Sequence, residues 1–215
     1  MRHGLTPEAL QNQEKFELID TVTYKEMKPF IIKTIRNKSL LLTVYAVVQG
    51  ITMVVFAVIM AYLVVLSVKN GTVTPSLKYY LMALGCSFTL LIPVHELLHA
   101  LAFLVLGKRD IGFGMQLKQF IFYAEANRQV LNRKEITVIA FTPLLLVGIA
   151  SILFCIFTST TPLFYFGLGI FLIHFLFCAG DMAMVSYFNQ QENIYSYDDR
   201  KERRSYFFKE KAEKS

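Results

Sequence analysis

The chain has 215 residues, of which 54% are hydrophobic and 18% charged, with 19 Phe and no Trp. That balance argues against a soluble domain and for a polytopic membrane protein. The formal charge of +6 is divided among three segments and mixed with acids, so no nucleic-acid partner is expected and the charge reads as a topology signal.

Residues 1–39 read as a cytosolic N-terminal segment. Thr6-Pro7-Glu8 supplies an N-cap followed by Pro at the first helical position and predicts a short helix there. Phe30, Ile31, Ile32 and Ile35 are interspersed with Lys28, Lys33 and Arg36, which suits either a segment lying at the membrane surface or a plain helical lead-in. The first long apolar run begins only near residue 40 and follows charged residues, so no cleavable signal peptide is expected.

Four stretches are long enough to cross about 30 Å of hydrocarbon: Leu40 to Val68, Tyr79 to Leu106, Ile136 to Thr158 and Leu163 to Phe188. Residues 40–188 are therefore expected to form an all-α domain of four transmembrane helices. Cys86, Cys155 and Cys178 fall within these stretches and read as small packing residues, not as a disulfide framework. In the loop between the second and third stretches, Ile111, Phe113, Met115 and Leu117 alternate with Gly112, Gly114, Gln116 and Lys118, the period of a strand with one apolar face. With the apolar run from Phe120 to Tyr123 they predict a short β-hairpin-like segment turning near Lys118 and Gln119. Residues 189–215 are polar and include the run Asp198-Asp199-Arg200-Lys201-Glu202-Arg203-Arg204. They read as a solvated, partly disordered tail.

Basic residues fix the expected orientation. Seven Lys or Arg precede Leu40, six lie between Gly107 and Glu135, and seven follow Phe188, whereas the loop from Lys69 to Lys78 has two and the link from Ser159 to Pro162 has none. The positive-inside rule then places both termini and the middle loop in the cytosol of a multi-pass cell-membrane protein.

Within the second stretch lies His95-Glu96-Leu97-Leu98-His99. On a helix the two histidines sit one turn apart on one face, where both imidazoles can bind one zinc while Glu96 serves as general base. Three ionisable side chains within five residues are costly in hydrocarbon and need a compensating partner; interhelical hydrogen bonding would supply one, but it does not require this spacing. A catalytic zinc usually has three protein ligands and a water. Asp181 in the fourth stretch is the remaining intramembrane carboxylate. His99 is eight residues before Gly107 and Asp181 eight before Asn189, so both lie about 12 Å from the same end of their helices at 1.5 Å per residue. His174 and Cys178 share a helix face with Asp181. His174 is expected about 10 Å further from the cytosol, where it either touches substrate, orients a ligand or packs between helices. Gln49 and Thr142 occur at depths comparable to the motif, as hydrogen-bond partners to the ligands or as interhelical contacts.

The motif in stretch two and Gly180-Asp181 in stretch four resemble the putative zincin membrane peptidases of bacteria, and through them the site-2 type of intramembrane metalloprotease. The similarity covers roughly residues 79 to 188. Ala140-Phe141-Thr142-Pro143-Leu144 resembles the Ala-Gly-Pro-Leu element of the site-2 type, with Thr142 where that family has Gly and Leu146 where an Asn usually follows. The Asp here follows a glycine, whereas that family usually has Asp-Gly. The resemblance implies a zinc-dependent endopeptidase acting on peptide bonds in or near transmembrane segments of membrane-protein substrates, its active site facing the cytosol. His95, His99 and Asp181 would hold Zn²⁺, Glu96 would be the base, and the strand through Ile111, Phe113, Met115 and Leu117 would hold an extended substrate by edge addition. Two other classes stay open: an inactive metal-binding membrane adaptor, and a small proton- or metal-coupled transporter.

Overall fold

The computed structural model describes residues 5–37, 39–116 and 121–211. A short helix α1 (Pro7–Leu10) is capped by Thr6, whose Oγ1 accepts the Ala9 N–H. It is followed by strand β1 (Phe16–Thr23) and helix α2 (Met27–Arg36). Helix α3 (Leu40–Lys69) is the longest element, and its Ser39 cap also hydrogen-bonds Ser186 at 2.6 Å. Helix α4 (Pro75–Cys86) runs through a π-helical turn (Ser87–Leu91) into α5 (Ile92–Val105). Strands β2 (Ile111–Gln116), β3 (Ile121–Ala126) and β4 (Leu131–Asn132) lead to α6 (Arg133–Phe157), which starts with a capping box between Asn132 and Glu135. Helices α7 (Phe164–Phe177) and α8 (Ala179–Asn189) precede strands β5 (Ile194–Asp199) and β6 (Arg204–Glu210).

The expectation of an all-α fold with four transmembrane helices is overturned: the protein is mixed α/β. Among the described residues six strands form two antiparallel sheets, one of order β1-β6-β5-β4 and one of β2-β3. Among the described residues three helical stretches are long and apolar enough to cross a membrane: α3, the continuous run from α4 to α5, and α6. The fourth apolar run is a pair, α7 and α8, bent by 40° at Cys178. Hydropathy responds to the length of an apolar run and is blind to a break within it, because Cys178 and Gly180 hardly interrupt the apolar average. The break frees two carbonyls that the helix no longer satisfies. Cys178 Sγ bonds the His174 carbonyl at 3.4 Å, and the Tyr45 hydroxyl donates to that of Phe175.

Where a solvated, partly disordered tail was expected, its described residues form two strands. Its charged run is the turn of the β5–β6 hairpin, where Asp199 Oδ1 accepts the N–H groups of Lys201 and Glu202 and Arg203 takes a positive φ of 54°. The strands flanking it find their apolar partners at the opposite end of the chain. Tyr197 and Phe208 pack with Leu10 and Phe16 on one side of the sheet, and Ile194 and Phe207 with Val22 and Phe188 on the other. Residues from the first segment, the middle loop and the tail thus share one layer at one end of the helices. Away from that layer, α3 and α6 display Val47, Ile51, Val54, Val58, Ile149 and Ile152 to the surroundings, as expected for lipid-facing helices.

The β2–β3 hairpin agrees with the period-two reading, and its turn and Leu117 lie outside the described residues. Gly112 has a packing reason: a Cβ there would lie 2.5 Å from the guanidinium of Arg200. That guanidinium crosses the strand to reach Glu125 on β3 at 2.5 Å and Asp110 at 3.1 Å, tying the hairpin to the larger sheet.

Candidate active site and metal centre

Helix α5 begins immediately after the π-helical turn. Pro93 in its first turn has no N–H and would crowd the carbonyl of Thr89, and a widened turn relieves that conflict. The turn sets the phase in which α5 buries His95 and His99, 6% and 8% exposed. Asp181, in the first turn of α8, meets them from the opposite side. His95 Nε2 lies 3.0 Å from His99 Nε2, and Asp181 places Oδ2 and Oδ1 at 3.2 Å from the first and second imidazole respectively.

What the other ring nitrogens do decides what these three can hold. His99 Nδ1 lies 3.0 Å from the carbonyl of Ile139 on α6. A carbonyl only accepts, so Nδ1 carries the proton and Nε2 presents a lone pair. That carbonyl is free because the residue four positions on is Pro143, which lies within the helix and has no N–H to give it. His95 Nδ1 lies 3.1 Å from His174 Nε2; with its proton there, His95 likewise turns a lone pair toward the centre. Two lone pairs and a carboxylate then converge with no proton between them, and Asp181 Oδ2 has no hydrogen-bond partner among the described residues. Such a trio is repulsive without a cation. The donor spacings suit zinc, since tetrahedral bonds of about 2.0–2.1 Å put ligand atoms roughly 3.3 Å apart. A second grouping, His95, His174 and Cys178, shares the first histidine.

These groups open onto a cavity of about 450 Å³ lined by His95, Glu96, His99 and Asp181 at one end and by Tyr24, Glu125 and Asp198 at the other. Glu96 interacts with the backbone N–H of Ala124 and keeps Oε2 without a partner. At the far end the Tyr24 hydroxyl donates to Glu125, which also receives Arg200. Burial, then Asp198, push the Tyr24 phenol well above its ordinary range. Burial pushes the half-buried Asp198 carboxyl up to about 6; the Ser205 hydroxyl, donating at 2.5 Å, opposes this and Glu125 adds to it.

A family model described as putative zincin peptidase matches residues 88–195, half of the chain, from the π-helical turn to the start of β5. The chain belongs to the putative zincin peptidase family. Membership makes a metallopeptidase the expected class and zinc the expected ion, in agreement with the donor set. No curated protein and no solved structure matches the chain.

For this zincin-family chain, the structure brings His95, Glu96, His99 and Asp181 together as their spacing anticipates. His174, for which contact with substrate, with a ligand candidate or between helices was expected, lies against the ligand candidate His95, with ring centroids 5.3 Å apart. Thr142 and Gln49 do not line the cavity. The Thr142 hydroxyl bonds the Val138 carbonyl of its own helix, and the Gln49 amide has no hydrogen-bond partner among the described residues. Of the anticipated substrate strand, Phe113 and Met115 point outward, 58% and 63% exposed, and Ile111 packs near Ala126. The strand beside Glu96 is β3, which lies between β2 and α5. Sequence reasoning missed Tyr24, Glu125, Asp198 and the Ile139 carbonyl; only the last had a signal, Pro143 four residues on.

Proposed function

We propose that the protein is a zinc-dependent endopeptidase that hydrolyses peptide bonds in or near transmembrane segments of membrane proteins, with its site facing the cytosol. The observation that carries this reading is the convergence of two imidazole Nε2 atoms and the Asp181 carboxylate beside the Glu96 carboxyl in one cavity. His95, His99 and Asp181 would hold the ion, which when bound makes a water acidic near neutral pH and polarises a peptide carbonyl. Glu96 takes the proton from the attacking water and returns it to the departing amine. Ile139 and His174 hold the two imidazoles in the tautomer that binding needs.

The free edge of β3 suits an extended substrate. Asn127 N–H bonds the Asp110 carbonyl, so in the antiparallel alternation Phe122 and Ala124 direct their backbone groups away from β2. Both residues line the cavity. An unwound substrate segment adding along this edge would place its carbonyl near Glu96. The orientation follows from the positive-inside rule, since the layer that closes the cavity contains all three basic segments.

The test is metal analysis of the purified protein with cleavage of single-span substrates. About one zinc per chain is expected. Glu96→Gln should keep the metal and abolish cleavage, whereas Asp181→Asn should lower metal affinity. Cleavage surviving in the Glu96 variant would remove the proposed base, and metal affinity unchanged in the Asp181 variant would remove the proposed ligand.

A further inference from the structure

Helix α2 divides its ten residues between two opposite faces. Met27, Phe30, Ile31 and Thr34 turn inward. Phe30 stacks on Phe207 with ring centroids 5.5 Å apart and meets Tyr187 edge-on at 4.9 Å, and Thr34 is buried. Met27 and Ile31 form part of the wall of the cavity that Asp181 also lines, with Ile31 close to Gly180. The outward face carries Lys28, Pro29, Ile32, Lys33 and Arg36, all exposed, around a shallow hollow of about 520 Å³.

Two features of this face point to its occupant. It contains no acidic residue, and none of its three cations pairs with a carboxylate among the described residues. Among the cations stands Ile32, and Ile35 flanks them, each 42% exposed. Helix α3 begins at Leu40, where the lipid-facing surface starts, so the short link from Arg36 keeps α2 at the level of the headgroups. A helix at that level can lower its isoleucines into the acyl boundary while lysine and arginine meet phosphates.

We propose that the outer face of α2 is a binding surface for anionic phospholipid headgroups in the leaflet at which α3 begins. Lys28, Lys33 and Arg36 contact the phosphates, and Ile32 and Ile35 enter the acyl boundary. Because the inner face of the same helix walls the cavity beside Asp181, headgroup binding holds that wall against the membrane. The proposal depends on the membrane placement and not on peptide cleavage, and its test contains no activity measurement.

The chain has no Trp, so Ile32→Trp in the full-length protein provides a single fluorophore on this face. Nanodiscs of phosphatidylcholine alone are compared with nanodiscs that also contain phosphatidylglycerol. In the anionic discs, emission should shift to the blue and acrylamide quenching should fall about two-fold or more, as for a residue moved to the acyl boundary. High salt should weaken the difference. Adding Lys28→Gln, Lys33→Gln and Arg36→Gln should erase the lipid dependence, and the charge-preserving pair Lys28→Arg and Lys33→Arg should keep it. Equal emission and quenching in the two discs, or a dependence that survives the three neutral substitutions, would overturn the proposal.

Discussion

At the scale of single residues, the candidate metal site draws on a proline outside the ligand candidates. Pro143 withholds the N–H that the Ile139 carbonyl would otherwise receive, and His99 Nδ1 donates there instead. Pro143→Ala restores the intrahelical donor and places it in competition with His99. Zinc affinity, measured by competition with a chelator, is expected to fall roughly ten-fold, the lower end of the range for losing an outer partner of a ligand. The thermal midpoint should hold or rise, because an interior proline is unfavourable to a helix. That opposite movement separates an orienting role from simple structural damage; an unchanged affinity would show that the carbonyl does not orient His99.

At the scale of elements, α7 and α8 each bring one group to the candidate site from the two sides of their break. His174 on α7 sets its Nε2 3.1 Å from His95 Nδ1, while Asp181 on α8 reaches both His95 and His99. His174→Phe removes the acceptor and is expected to lower zinc affinity by roughly 10- to 100-fold. His174→Gln, which retains an acceptor, should lose less, and isothermal or chelator titration of the two variants checks the order. A comparable division of labour holds in the hairpin. The glycines of β2 accommodate Arg200 and the ring of Tyr123, so β2 serves as backing, while β3 supplies the edge at the cavity.

At the scale of the whole molecule, the sheet joins residues from both ends of the chain and closes the cavity opposite the metal site. Asp198 makes that closure sensitive to pH. Its folded value of about 6 lies above the ordinary carboxylate value, so the folded state binds this proton more tightly than the unfolded one. The stability it contributes is fully present below about pH 4 and is lost as pH rises through 6. Asp198→Asn removes that loss. Thermal scans between about pH 5 and pH 8 should find the variant more stable at the upper end, with the two midpoints converging toward the lower end. A constant difference across the range would exclude this proton as the cause.

The long apolar helices and the candidate metal-binding cluster were legible in the sequence because both are carried by local patterns. Long apolar runs mark α3, α4 with α5, and α6, and the spacing of His95, Glu96 and His99 follows from one turn of helix. Counting residues from the helix ends sufficed to pair Asp181 with them. The strands of the tail were not legible, because Tyr197, Phe207 and Phe208 are short apolar groups whose partners, Phe16 and Val22, lie at the other end of the chain. Nor was the break at Cys178, across which hydropathy averages, nor the contact of His174 with His95, which joins two helices. The sequence by itself determined which groups are candidates to bind a metal and move a proton, because that chemistry belongs to side chains at helical spacing. Only the tertiary structure decided which atoms orient them, which strand edge faces Glu96 and which helix walls the cavity, because each of those contacts joins residues far apart in the chain.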